Sequence, residues 1–273
     1  KSDQQREVFD ILFYVNSGFE VVVIPSFIKK IAPYAFNENK DLNFVQFSED
    51  SELQIIEKYA FFNSSIKEIE IPSNVTRICE CAFQNCTNLS RVESAENSQL
   101  QIIEKQAFSG TKFREVIIPS NVRQFCSECF KNRTKMSLQL MPNNEHFINY
   151  KNSFILKKSN PKSDLYDVLV YANKYISTAD IPFFIREISP YAFNECSFLR
   201  TIKFSDKSNL RKIGEGAFAF CKFDYIRIPS HVTYIGEKAF EKCLRLKKVD
   251  FSPNSELRVI KNRVFYNSTI LTL

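Results

Sequence analysis

Residues Ile71–Phe83 read IPSNVTRICECAF, residues Ile118–Phe130 read IPSNVRQFCSECF, and residues Ile228–Phe240 read IPSHVTYIGEKAF. A phrase written three times marks a repeat, and the period decides the fold. The closing phenylalanine falls at Phe36, Phe61, Phe83, Phe108, Phe130, Phe193, Phe218, Phe240 and Phe265, so the intervals are 25, 22, 25, 22, 63, 25, 22 and 25. Two unit lengths alternate, with one interruption.

The short unit enters through Ile-Pro, as in IPSFIKKIAPYAF and IPFFIREISPYAF. The long unit replaces Ile-Pro with a longer polar stretch, as in FSEDSELQIIEKYAF, FSDKSNLRKIGEGAF and FSPNSELRVIKNRVF. One copy, SAENSQLQIIEKQAF, carries Ser94 where the others carry Phe. An apolar triplet at spacing i, i+3, i+5 precedes each phrase; Ile66/Ile69/Ile71 and Leu199/Ile202/Phe204 are examples. Its last two members alternate as a strand with one buried face does. A unit this short cannot bury its own apolar side, so successive units must stack. Each coil then gives a short strand to a parallel sheet, and like residues form columns inside. The closing Phe fills the core of the opposite wall, and the Ala before it lets neighbouring coils approach. Proline after the strand lacks an N–H, so the ladder ends there.

Residues 131–180 break the register and read as a β-hairpin island, with FINYKNSFIL and YDVLVYA as strands and KKSNPKSDL as the loop between them. From Asp10, DILFYVNSGFEVVVIPSFIKKIAPYAFNE aligns without gaps on DVLVYANKYISTADIPFFIREISPYAFNE from Asp167. Residues 1–23 therefore read as the second half of another island, and STILTL stops partway into a strand. The expected organisation is a single solenoid over 1–273. It comprises a partial island (1–23), five coils (24–130), the island (131–180), and four coils with a truncated strand (181–273). The chain reads as a piece of a longer array, or as one whose ends are closed by something else.

The I-P-S-x-V-x-x-I-x-x-x-A-F phrase and its alternating spacing, carried by nine copies, resemble the BspA-type leucine-rich repeats of bacterial and protozoan surface proteins. That resemblance implies an α/β repeat solenoid, a curved stack of short parallel strands. It also implies a cell-surface or secreted location, a role in protein recognition or adhesion, and no catalytic residues or cofactor. Cys79 and Cys126 depart from the pattern where Gly214 and Gly236 stand in better copies.

Composition narrows the functions further. The chain is 44% hydrophobic and 25% charged, as globular chains are. Five glycines and no GxxxxGK or GxGxxG pattern argue against a phosphate-cradling loop. The net charge of +6 is spread along the chain, which argues against nucleic acid as a partner. No run of 18 apolar residues is present to span a membrane, and KSDQQREVFD is not a signal peptide.

Of eight cysteines, Cys86, Cys196, Cys221 and Cys243 share one slot, three residues past the Phe, where other copies hold Asn39, Ser64, Thr111 and Ser268. Three readings stand. The first is a small side chain bonding backbone in the turn. The second is a disulfide, with Cys196 and Cys221 in adjacent coils. The third is a metal held by Cys79, Cys81 and Cys86 or by Cys126 and Cys129. The repeat spacing and the lack of a neighbouring His favour the first. His146 lies in the island, and His231 exchanges with Asn74 and Asn121 in the repeat, as a turn residue does rather than a catalytic base. Asn63, Asn74, Asn85, Asn88, Asn132 and Asn267 fit the N-glycosylation pattern, which Asn- and Ser-rich turns also produce.

The strand positions between the inward ones should form an extended surface for a protein partner, a host or matrix protein included, or for a glycan. Phe44, Ile117 and Tyr225 are the candidate anchors. The face is mixed or acidic before the island, with Glu68 central. After the island it reads as mostly basic through Arg200, Lys203, Arg227, Lys247 and Lys248. The alternative is an intracellular, cytoplasmic scaffold built on the same solenoid.

Overall fold

Most coils carry two strands, and only the broader one is visible as an alternating pattern. The computed structural model describes residues 9–125, 127–131 and 136–272. They form two compact units, Lys1–Phe113 and Arg114–Leu273. In the first unit the broad strands Val21–Ile24, Phe44–Phe47, Glu68–Ile71 and Arg91–Ser94 make one parallel sheet. The two-residue strands Ile11–Leu12, Lys30–Ile31, Ile55–Ile56, Arg77–Ile78 and Ile102–Ile103 make a second. Like residues pair across coils: Ile69 faces Val92, and Ile56, Ile78 and Ile103 form one buried column.

The phenylalanines form the interior column that the spacing requires. Phe36 stacks on Phe61 at 4.5 Å between ring centroids, Phe61 on Phe83 at 4.8 Å, and Phe83 on Phe108 at 5.2 Å. The second unit repeats the arrangement with Phe193, Phe218, Phe240 and Phe265 at 4.9, 5.4 and 5.4 Å. Backbone bonds fix this wall. Phe61 N–H donates to the Ala82 carbonyl at 2.7 Å and Phe83 N–H to that of Ala107 at 2.8 Å.

The wall is built of turns. In the coils whose phrase ends in Ala-Phe, the residue before the Ala and the second residue after the Phe are left-handed, as at Tyr59 (φ 60°) and Asn63 (φ 57°), or Cys81 (58°) and Asn85 (59°). Two such residues per coil stop a right-handed helix from propagating. The helical half of the expected α/β unit is thereby reduced, among the described residues, to the 3-10 turn Ser127–Phe130.

The coils approach most closely at two glycines. A Cβ on Gly214 would lie 2.5 Å from Pro190 N, and one on Gly236 2.5 Å from Glu215 N. Both neighbours are backbone atoms that cannot swing aside. Gly236→Ala is expected to destabilise the second unit by about 1–3 kcal/mol, the range for overpacking, as read from urea unfolding.

In the second unit Glu115–Ile118 pairs in parallel with Ser137–Leu140. FINYKNSFIL, expected to be one strand, is two. Phe147–Tyr150 and Phe154–Lys157 pair antiparallel across a tight turn in which Lys151 (φ 51°) and Asn152 (φ 53°) are left-handed. Twisted strands favour such a pair in a hairpin turn. Phe154–Lys157 also pairs antiparallel with Val168–Ala172, which opens a parallel run through Glu187–Ile188, Lys212–Ile213, Tyr234–Ile235 and Val259–Ile260. Broad strands pair two by two, Thr178–Ile181 with Thr201–Phe204 and Tyr225–Ile228 with Lys248–Phe251.

Candidate partner-binding face

The broad strands do not form an even ladder, and proline is the cause. From an Ile-Pro coil to the following long coil all four residues pair, as Val21–Ile24 with Phe44–Phe47. From a long coil to the next Ile-Pro coil the pairing fails. Phe44–Phe47 and Glu68–Ile71 share only Phe44 with Glu68, and Thr201–Phe204 has no ladder to Tyr225–Ile228. A later coil donates to the carbonyls of the earlier one. Ser252 N–H closes the ladder by donating to Ile228 O at 3.0 Å, and Met141 N–H donates to Ile118 O at 2.9 Å. In the other seam that donor is replaced by Pro72 or Pro229, which has none. Proline therefore ends the ladder on one side of its coil only.

A groove of about 710 Å³ lies over the open seam of the first unit and continues across the paired strand Arg91–Ser94. Glu49, Glu68, Glu70 and Glu93 supply its negative charge, Arg91 is its only cationic lining residue among the described residues, and Phe44 and Pro72 lie along it. Phe44 is half-buried, with Lys67 Nζ 5.9 Å from its ring centre, so it is a less exposed anchor than expected. Arg91 is held by Glu93 at 2.7 Å.

In the second unit the expected basic face is partly paired with carboxylates, and its cations still outnumber them. Lys203 lies 3.9 Å from Asp180, while Arg227 and Lys248 converge on Asp250 at 3.7 and 3.1 Å. Arg200 donates to the Ser197 carbonyl at 2.8 Å. Arg245 forks onto Asp224 at 2.9 and 3.2 Å. Lys248 is the main cause of an Asp250 carboxyl held below its usual range, and Arg245 does the same for Asp224. Asp180 escaped the sequence reading because it was counted within the island, although its strand belongs to the next coil. Tyr225 and Ile117 are exposed, and the Tyr225 hydroxyl donates to Asp250 at 3.0 Å. Lys247 is exposed and, among the described residues, outside these ion pairs.

Comparison with known proteins identifies the repeat. The BspA type leucine-rich repeat region matches in six copies over residues 7–137 and 168–273. The chain belongs to that family. No curated protein matches it. Among solved structures, the pneumococcal vaccine antigen PcpA superposes with a TM-score of 0.73 at 22% identity, covering 86% of this chain and 62% of the antigen. The chain thus spans less than two thirds of that structure. A leucine-rich repeat protein of Eubacterium ventriosum gives 0.72 at 18% identity, with coverages of 91% and 71%. A leucine-rich cell surface protein of Faecalibacterium prausnitzii gives 0.62 at 20% identity, with 92% and 78%. These likenesses are of fold. The stretch outside the family match, 138–167, holds the hairpin.

In this BspA-type array the cysteine slot is a hydrogen-bonding position. Cys86 Sγ donates to Phe61 O at 2.9 Å, Cys221 to Phe193 O at 3.1 Å and Cys243 to Phe218 O at 3.1 Å. Ser268 Oγ makes the equivalent bond to Phe240 O at 2.6 Å. Thr111 uses the same slot to bond its own coil's Phe108 O at 2.8 Å. The seven described cysteines are buried, Cys79, Cys81, Cys86, Cys196, Cys221 and Cys243 are free, and Cys126 lies outside the described residues. Burial pushes the Cys86 thiol up to about 11 and Cys243 up to about 12. Cys79 meets Glu57 and Cys81 meets Gln106, at 3.7 and 3.9 Å, so these two thiols do not converge.

His231 Nδ1 sits 2.7 Å from Glu256 Oε1, and His146 is exposed in a turn whose backbone is held by Asn144. Three of the glycosylation-pattern residues, Asn63, Asn85 and Asn267, occupy the left-handed turn position after Phe, which Asn tolerates better than most residues. Asn74 spends its amide nitrogen on Ser51 O at 2.8 Å. Asn88 is exposed, and Asn132 lies outside the described residues. No helix of the described residues is long and apolar enough to cross a membrane.

Proposed function

We propose that this chain is a non-catalytic recognition module of a cell-surface or secreted protein, and that it binds an extended, basic protein segment in the acidic seam of its first unit. The observation that supports this reading is the proline-opened groove itself. It combines a seam in which only Phe44 and Glu68 pair, four carboxylates against one cation, and the flat apolar surface of Phe44. An extended peptide can lie along the groove with its cations meeting Glu68 and Glu70. Family membership supports protein interaction as the general role, and two proteins of like fold are a vaccine antigen and a cell surface protein. In the second unit Ile117, Tyr225 and the cations Arg200, Lys203, Arg227, Lys247 and Lys248 are proposed as secondary contacts.

An alternating lysine–serine peptide, titrated by fluorescence anisotropy at low ionic strength, tests the site. The parent is expected to bind it and to lose it as salt is added. Glu68→Lys with Glu70→Lys should weaken binding about tenfold or more with unchanged unfolding. Equal binding by parent and variant would defeat the proposal. An intracellular scaffold is the second reading, and the buried free thiols Cys79, Cys81, Cys86, Cys196, Cys221 and Cys243 favour it. Glycan on exposed Asn85, Asn88 or Asn267 in native material would decide for the surface.

A further inference from the structure

Two stretches of this chain share sequence and local fold, and one of them is covered. Asp10–Asn16 reads DILFYVN and Asp167–Asn173 reads DVLVYAN. Both lie on the next coil in the same register. Ile11 and Leu12 pair in parallel with Lys30 and Ile31, as Val168 and Leu169 pair with Glu187 and Ile188. The flanking bonds repeat as well. Lys29 N–H donates to Asp10 O as Arg186 N–H does to Asp167 O, and Ala32 N–H donates to Leu12 O as Ser189 N–H does to Leu169 O.

In the second unit the hairpin Phe147–Lys157 completes the site. Phe154–Lys157 adds antiparallel to Val168–Ala172, and all five residues of that strand are buried. Asp167 is 3% exposed, and its carboxylate accepts the Ser159 N–H at 2.9 Å and the Ser159 hydroxyl at 2.8 Å. Asn173 N–H donates to Ser153 O at 2.8 Å.

In the first unit the corresponding groups face solvent. Phe13 is 72% and Tyr14 69% exposed, where Val170 and Tyr171 are 1% and 2%. Asp10 meets Lys29 at 3.9 Å, and Asn16 is exposed. Large aromatic side chains at a strand edge are an aggregation hazard unless something pairs with that edge.

We propose that the edge Ile11–Val15 is the docking site of a β-hairpin of the kind formed by Phe147–Lys157, joined ahead of Asp10 as that hairpin is joined ahead of Asp167. Its second strand adds antiparallel to Ile11–Val15, presents apolar residues at the positions of Phe154 and Leu156, and is followed by a hydroxyl side chain that bonds the Asp10 carboxylate as Ser159 bonds Asp167. The internal copy specifies this occupant, because backbone register, acid, tyrosine and asparagine all recur.

The test fuses a second copy of residues 145–166 directly to Asp10 in the full chain, in place of residues 1–9. Amide exchange at Leu12, Phe13 and Tyr14 is expected to slow at least tenfold, and the thermal midpoint to rise by about 4 °C or more. The same fusion with Phe154→Asp and Leu156→Asp in the added copy should produce neither change. Unchanged exchange in the fusion, or equal slowing in the aspartate control, would overturn the proposal. So would an unfused chain that sediments as a dimer with these amides already slow, which assigns the edge to a second copy.

Discussion

Phe83→Ala is expected to cost about 3–5 kcal/mol in urea unfolding, the range for emptying a packed aromatic site. Phe83 is fully buried, and its ring lies between Phe61 at 4.8 Å and Phe108 at 5.2 Å. The coils on either side cannot close over the gap, because the Phe83 N–H to Ala107 O bond at 2.8 Å and the Phe61 N–H to Ala82 O bond at 2.7 Å fix their spacing. Phe218→Ala in the second unit should behave alike, since Phe193 and Phe240 flank it at 4.9 and 5.4 Å. Phe44→Ala is the control on the open face and should cost under about 1 kcal/mol. A loss under 1 kcal/mol at Phe83 would mean that the phenylalanine column does not carry the stack.

The second large effect is alkaline. Cys86 and Cys243 must stay protonated to donate to the Phe carbonyls, and burial raises them to about 11 and about 12. In the unfolded chain a thiol titrates near pH 8.5. A group raised on folding contributes stability that is intact below its unfolded pKa and is lost as pH climbs toward the folded one. Unfolding free energy should therefore be flat for these groups below about pH 8, then fall between about pH 8.5 and 11 by up to about 1.4 kcal/mol per pH unit for each thiol. Cys86→Ser with Cys243→Ser should keep the bond, as Ser268 does to Phe240 O, and remove that share of the slope. An unchanged slope in the double variant would show that these thiols are not the titrating groups.

Much of this was legible because a repeat reports each position several times. The phenylalanine column follows from the intervals alone. The cysteine slot follows from its exchange among Cys86, Asn39, Ser64, Thr111 and Ser268, since all are small side chains able to hydrogen-bond in the turn. Pairs such as Ile55–Ile56 were not legible as strands, because two adjacent apolar residues have no alternation to read. The Tyr150–Phe154 turn was hidden because its left-handed residues are Lys151 and Asn152 rather than Asn-Gly or Gly-Gly. The groove beside Glu68 and Glu70 depends on which neighbour each N–H faces, so Pro72 announced an ended ladder without saying on which side. The ion pairs of the second unit were hidden for a related reason. Asp180, Asp224 and Asp250 neutralise Lys203, Arg245 and Lys248 from positions whose proximity only the register of stacked coils reveals.

Ring-to-ring nuclear Overhauser contacts among individually labelled phenylalanines test the stacking of coils most directly. Phe61 should contact Phe83, and Phe83 should contact Phe108, with no contact between Phe61 and Phe108. A Phe61–Phe108 contact, or silence between Phe61 and Phe83, would contradict the in-register column.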